Sequence, residues 1–351
     1  MKLKTRRRLY IIFIFIFIVT TPIVCAYAAG YKINLTWPPN LSKIFVKTGM
    51  LIVETKPKGA LIYLNQKLKK QNLFNSQVAK TPTKVKNLIP KEYKVSLELD
   101  NYWPYIERIK IYPGKTSFLK NIKLFKKNNL EKISTSSSDF FPEENTLNKQ
   151  NDLLKIKENI LEISSSSKEI LDYLNKDDFL YLLFQDKLKI YKNHNLLGEI
   201  KFPISYDYRF INPKNQFLNI YDAKHEILYL INPNSQDPIK EILHNIKYTS
   251  WVDEKNLIYA SDYEIWKINL EQNQKNIITR ISKKIKNIFH YAPDYLIYAT
   301  QNEINILKIS NQNTLKILEK ENISDVSLDL ENNTIYFSEN VLNKTFYKLE
   351  I

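Results

Sequence analysis

Five tyrosines mark the second half of the chain at nearly equal steps, positions 181, 221, 259, 298 and 336, with intervals of 40, 38, 39 and 38 residues. The text around them repeats: FLYLLFQDKLKIYK from Phe179, FLNIYDAKHEILYLINP from Phe217, NLIYASDYEIWKINL from Asn256, YLIYATQNEINILKIS from Tyr295 and TIYFSENVLNKTFYKLEI from Thr334. Each unit reads as a strand ending in a polar turn, a second strand, a short third such as KNIITRI or LKILEKE, and a fourth such as IKNIFHYAPD. Four strands in about 40 residues is the period of a β-propeller blade. Five blades are therefore predicted over residues 158–351. The last unit ends at Ile351 after its third strand. Residues 158–164, ENILEIS, resemble LKILEKE and are expected to supply the missing outer strand.

The other end of the chain is apolar. MKLKTRRR carries Lys2, Lys4, Arg6, Arg7 and Arg8, and residues 9–29 then run without a charge. As a helix that run spans about 31 Å, close to the hydrocarbon thickness of a bilayer. Basic residues crowd before it and only Lys32 follows closely, which predicts a cytoplasmic N-terminus and an extracytoplasmic remainder. A cleaved signal peptide is the rival reading, with Ala26-Tyr27-Ala28 as its cleavage site. An uncleaved, single-pass anchor in the cell membrane is preferred, because apolar residues continue past Pro22 to Ala29. The one cysteine, Cys25, follows Val24 rather than a small residue, so lipidation there is not expected. It also excludes a disulfide framework or a cysteine-based metal site within one chain.

Between these ends the pattern is β-like from Gly49. MLIVETKP alternates Leu51, Val53 and Thr55 on one face; Pro57-Lys58-Gly59 is a turn; ALIYLN, YKVSLELD and the two halves of YIERIKIYPGKTSFLKNIKLF follow as strands. Four or five short antiparallel strands in about 75 residues predict a small β-sandwich. These residues resemble the PEGA domain, named for its Pro-Glu-Gly-Ala turn, here Pro57-Lys58-Gly59-Ala60. Thr81-Pro82, the stretch from Asn87 to Pro104, and Tyr112-Pro113-Gly114 follow in the family's order. Gln66, Lys91 and Asn101 stand where the family usually has glycine, and Asn tolerates the left-handed region best. The anchor followed by Gly30-Tyr31 is similar to membrane-anchored bacterial PEGA proteins. That resemblance implies a cell-envelope adaptor or interaction module without catalysis. The repeat unit resembles the broad quinoprotein and YVTN-type propellers in pattern only.

The expected organisation is an all-β ectodomain on one N-terminal transmembrane helix: 1–30 basic tail and anchor, 31–48 juxtamembrane, 49–125 PEGA-like sandwich, 126–157 a Ser- and Asn-rich flexible linker, and 158–351 a five-bladed propeller. The net charge of +15 suits anionic surfaces. The lysines are scattered rather than striped, so nucleic acid is not an expected partner. The membrane bilayer and an envelope protein or polysaccharide are.

His194, His225, His244 and His290 fall on different blades without an H-x-x-H or HExxH pair, and no Walker, Rossmann or G-x-S-x-G signature is present. No cofactor, no metal and no enzymatic activity are expected. The alternative is an extracytoplasmic propeller lyase or hydrolase acting on an envelope polymer. The turns between second and third strands of every blade share one propeller face. They place Asp186, His225, Asp262, Tyr263, Asn302 and Asn340 there as the candidate recognition surface, with Tyr263 and His225 foremost.

Overall fold

The computed structural model describes residues 3–33, 45–70, 77–127, 130–133, 170–193, 195–211, 217–339 and 345–351. The chain divides into two compact units, Met1–Asn128 and Asn129–Ile351.

The first unit begins with one α-helix, Leu3–Ala28. Its stretch Leu9–Ala28 has a mean hydropathy of 2.6, and none of it is buried against protein. The helix is followed by Tyr31–Ile33, paired antiparallel with Phe45–Lys47. Two sheets then enclose a single core. One orders Thr83–Leu88, Gly49–Lys56 and Thr116–Lys123; the other orders Lys67–Leu68, Leu61–Leu64, Glu92–Glu98 and Tyr105–Lys110. Gly49–Lys56 buries every second residue, so its alternation turns Leu51 and Val53 onto Ile62, Val95 and Leu97 from the opposite sheet.

The antiparallel expectation needs a correction here. Gly49–Lys56 pairs parallel with Thr116–Lys123, Met50 lying beside Thr116. The two strands flanking Pro113-Gly114 are consequently not a hairpin. Tyr105–Lys110 belongs to the second sheet and Thr116–Lys123 to the first, so the turn carries the chain across the sandwich.

The family-like turns meet in space. Gly59 adopts φ +97° with nothing within 4 Å of where a Cβ would stand, a conformation that favours glycine. The Gly59 amide donates to the Thr81 carbonyl (2.7 Å), the Ala60 amide to Thr81 Oγ1 (3.0 Å), and the Thr55 hydroxyl to the Pro57 carbonyl (2.6 Å). Asn65 and Gln66, both at positive φ, form the two-residue turn between Leu61–Leu64 and Lys67–Leu68. Asn101 (φ 64°) also takes the left-handed region.

The second unit is propeller-like. Among the described residues it holds five four-stranded antiparallel sheets. Four are continuous in sequence: the first from Asp172 to Lys201, the second from Tyr208 to Leu243, the third from Tyr248 to Arg280 and the fourth from Ile285 to Glu319. The fifth orders Ile323–Asp329, Thr334–Glu339, Thr345–Glu350 and Leu130–Ile133. The expected closing segment, 158–164, lies outside the described residues. Its place beside the last strand is taken by Leu130–Ile133, which lies within the stretch read as a linker; Leu130 pairs with Leu349 and Ile133 with Phe346.

Apolar clusters lie between consecutive sheets. Leu188, Ile190, Ile220 and Tyr229 join the first to the second; Leu228, Leu230, Leu257 and Tyr259 join the second to the third; Ile258, Ile265, Ile288 and Leu296 join the third to the fourth. Between the fourth and fifth, the Tyr291 hydroxyl donates to Asn333 Oδ1 (2.8 Å). Strands covered on both faces lose the alternation of half-buried ones: Leu218–Asp222 and Tyr295–Thr300 are buried throughout. The marker tyrosines 181, 221, 259 and 298 are buried in this layer. Burial, with Glu241 and Glu264 nearby, pushes the Tyr259 phenol up to about 12.

Candidate functional site

Counting each sheet from its first strand in sequence, the turn between second and third strands is bracketed by the crossover that leaves the sheet. Phe202 and Ser205 amides donate to the Asp186 and Gln185 carbonyls (2.7 and 2.9 Å), and the Ile246 amide to Glu226 (2.9 Å). Ile281 and Ile285 amides donate to Tyr263 and Asp262 (both 2.8 Å), and Lys320 and Ile323 amides to Asn302 and Gln301 (2.9 and 2.7 Å). Turns and crossovers thus form one layer on one face.

An acid recurs beside the turn between second and third strands, paired with a cation from a crossover or a fourth strand. Glu226 meets Lys247, Glu264 meets Arg280 (2.8 Å), Glu303 meets Lys283 (2.8 Å) and Glu339 meets Lys320 (3.0 Å). Such pairs at the surface contribute little each; here they pin the crossovers. The hydrogen bond from Lys283 holds the Glu303 carboxyl below its usual range.

The sequence-predicted residues divide on this layer. Asp186 and Asp262 are half-buried; Asp262 is paired with Lys284 (3.2 Å). Asn302 accepts from the Asn322 amide (3.3 Å) as well as from Lys320. These three hold turns and crossovers together. His225 and Tyr263 are exposed, with Tyr263 at 51%. Asn340 and His194 lie outside the described residues. His290 sits on the strand Ile285–Ala292, half-buried, its imidazole held below the ordinary value chiefly by burial.

The structure adds a centre around His225. Its Nδ1 lies 2.7 Å from Oδ2 of Asp222, a carboxylate buried at the end of the strand Leu218–Asp222. Asp222 Oδ1 accepts from Ser205 Oγ (2.9 Å) and from the Lys224 and His225 amides (3.2 and 3.3 Å). Burial alone would raise the carboxyl; the bonds from His225 and Ser205 outweigh it and hold it below the usual range. An ionised Asp222 orients the imidazole and favours its Nδ1–H tautomer. Ser205 bonds the carboxylate, so the three residues do not make the serine–histidine contact of an activated nucleophile.

Ile204 and Tyr206, on either side of Ser205, are 71% and 64% exposed. With Tyr263 they put large apolar side chains on the same layer as His225. Sequence reading missed both, because PISYDY in a crossover carries no strand or helix period. Their exposed bulk beside a clamped serine is the signal. Among the described residues no cluster of three His, Cys, Asp or Glu suited to a metal ion occurs.

No curated protein sequence matches this chain. Solved structures similar to it include the WD40 domain of Neurospora crassa Pan2, 8% identical with a TM-score of 0.31, covering 51% of this chain and 74% of that one. Another is the extracellular domain of a hybrid two-component system of B. thetaiotaomicron, 10% identical with a TM-score of 0.32; half of this chain (50%) covers 26% of that one. Residues 48–127 match the family model of the PEGA domain, so the chain carries a PEGA domain between its apolar helix and its propeller-like unit.

Proposed function

We propose that the chain is a membrane-anchored, extracytoplasmic binding and scaffold protein of the cell envelope. The apolar helix is the anchor, the PEGA domain the module that follows it, and the propeller-like unit the recognition element. The observation that carries the reading is the helix. Its apolar stretch Leu9–Ala28 has no protein covering it, and a lipid bilayer is the solvent that accommodates such a surface. Arg6 and Arg7 before it favour an N-in orientation.

Recognition is assigned to the layer of second-to-third turns and crossovers, through Ile204, Tyr206, His225 and Tyr263. Aromatic side chains offer large contact area at little entropic cost. The partner is an envelope protein or polysaccharide. The test is retention of crosslinked envelope proteins and cosedimentation with purified wall polymer, using the full chain in nanodiscs. Tyr263→Ala weakens retention at unchanged melting temperature, and adding His225→Ala weakens it further with a small loss of stability, because the Asp222 carboxylate loses a bond. Loss instead on mutating Asp253 and Glu331, in turns of the opposite face, moves the site there.

One observation favours a second reading, a hydrolase or lyase: an exposed imidazole backed by a buried carboxylate is a competent general base. Turnover of envelope polymer lost in Asp222→Asn but retained in Tyr263→Ala supports that reading over binding.

A further inference from the structure

The end of the PEGA domain nearest the helix is tied to it by hydrogen bonds. Gly30, two residues past the helix, accepts at its carbonyl from both the amide and the hydroxyl of Thr48 (2.8 and 2.7 Å). The Thr48 carbonyl in turn accepts from the Gly114 amide (2.9 Å). A Cβ on Gly49 would stand 2.4 Å from the Tyr112 carbonyl, so the Tyr112–Lys115 turn packs directly on this junction. One residue, Thr48, therefore links the helix end to that turn.

The dimensions place the turn. The 20 residues Leu9–Ala28 rise about 30 Å as a helix, the thickness of the hydrocarbon layer. Gly30 lies two residues on, at most about 7 Å further. The headgroup layer is about 5–7 Å deep on each side. With the helix spanning a bilayer, the Gly30–Thr48 junction falls at headgroup level, and the turn is bonded to that junction.

The side chains there match that environment. Tyr31, Phe45 and Tyr112 are exposed. Lys110 and Lys115 place their Nζ atoms 5.3 and 6.0 Å from the Tyr112 ring centroid, and Lys47 lies along Gly114. Lys32, Lys47, Lys110 and Lys115 are exposed, with Glu92, opposite Lys110, the nearby acid. Aromatic rings with lysines at one level are the composition of a membrane interface, where the cations meet lipid phosphate.

Resting on the reading of the helix as an uncleaved anchor, we propose that the PEGA domain is seated on the membrane. Its Tyr112–Lys115 turn lies in the headgroup layer, and Lys47 and Lys115 engage the phosphates of anionic lipid.

Full-length chain with Cys25→Ser is placed in nanodiscs of phosphatidylcholine with 30% phosphatidylglycerol, and nitroxide depth is read at single cysteines. Pro113→Cys reports headgroup depth, Ile14→Cys hydrocarbon and Lys58→Cys bulk water, since Lys58 lies past the far end of the Gly49–Lys56 strand, about 25 Å along it from Gly49. A label at Phe45→Cys reads the same depth as 113 and guards against a disturbed turn. Lys47→Glu with Lys115→Glu lifts the 113 and 45 labels toward water and leaves 14 unchanged. Labels at 113 and 45 as water-exposed as 58, with 14 in hydrocarbon, overturn the seat. Labels that stay at headgroup depth in the double glutamate variant overturn the phosphate contact. A label at 14 in water overturns the anchor reading itself, and the seat with it.

Discussion

The two β units secure their sheets differently. The PEGA domain wraps one core between two sheets, and its parallel pairing brings Gly49–Lys56 beside Thr116–Lys123 from the far end of the domain. The propeller-like unit builds four of its five sheets from continuous stretches and places its apolar clusters between neighbours. Among the described residues, the fifth sheet alone borrows a distant strand, Leu130–Ile133. A single shared core suits a module of fixed shape. A unit of locally built sheets leaves its connecting turns free to diverge, and those turns carry Tyr263 and His225.

The contrast is broken most severely at the borrowed strand. Deleting Leu130–Ile133 exposes the edge of Thr345–Glu350. With four registered pairs lost, the second unit is expected to lose about 2–6 kcal/mol and to aggregate on heating. The PEGA transition should stay where it was; a second unit that remains monomeric with unchanged melting temperature would refute the assignment. In the PEGA domain, Ile62→Ala or Leu97→Ala empties a fully buried site and should cost about 2–5 kcal/mol, seen calorimetrically in that unit's transition alone.

Smaller effects sharpen the comparison inside the propeller-like unit. Asp222→Ala removes the acceptor for Ser205, the His225 ring and two amides, and should cost about 1–3 kcal/mol by denaturant titration. His290 titrates lower in the folded unit than in the unfolded chain because it is half-buried. The unfolded chain therefore takes the proton first. The stability His290 contributes is complete above about pH 6.5 and is lost as pH falls through its depressed folded value. Melting temperature should drop between pH 7.5 and 5, and His290→Phe should flatten that slope. Asp222, an acid held low, acts only in more acidic solution, so the two are separable.

Much of this architecture was legible because backbone geometry restricts the residue types. The Pro57–Ala60 turn and Thr81-Pro82 are readable apart, and the structure shows why they travel together: Thr81 clasps the turn. The tyrosine repeat is readable because Tyr181, Tyr221, Tyr259 and Tyr298 are all buried on the second strands of successive sheets. The parallel pairing was hidden, since apolar alternation fixes which face a strand buries but not its neighbour. Leu130–Ile133 was hidden too: four residues, mostly exposed, in a Ser- and Asn-rich stretch give no period. At the candidate site, His225 and Tyr263 stand out as turn residues. Asp222 reads as a strand end, and its buried contact with Ser205 comes only from the crossover folding back.

If the helix holds both β units outside a membrane, as proposed, the two ends of the chain differ in their access to external protease. Cells carrying the full chain with a tag at each end are treated with external protease before and after lysis. The C-terminal tag is then lost on intact cells, the N-terminal tag is protected until lysis, and before protease both tags sit on one membrane-bound chain. A C-terminal tag protected until lysis contradicts the orientation, and a mature N-terminus near Ala29 contradicts the anchor.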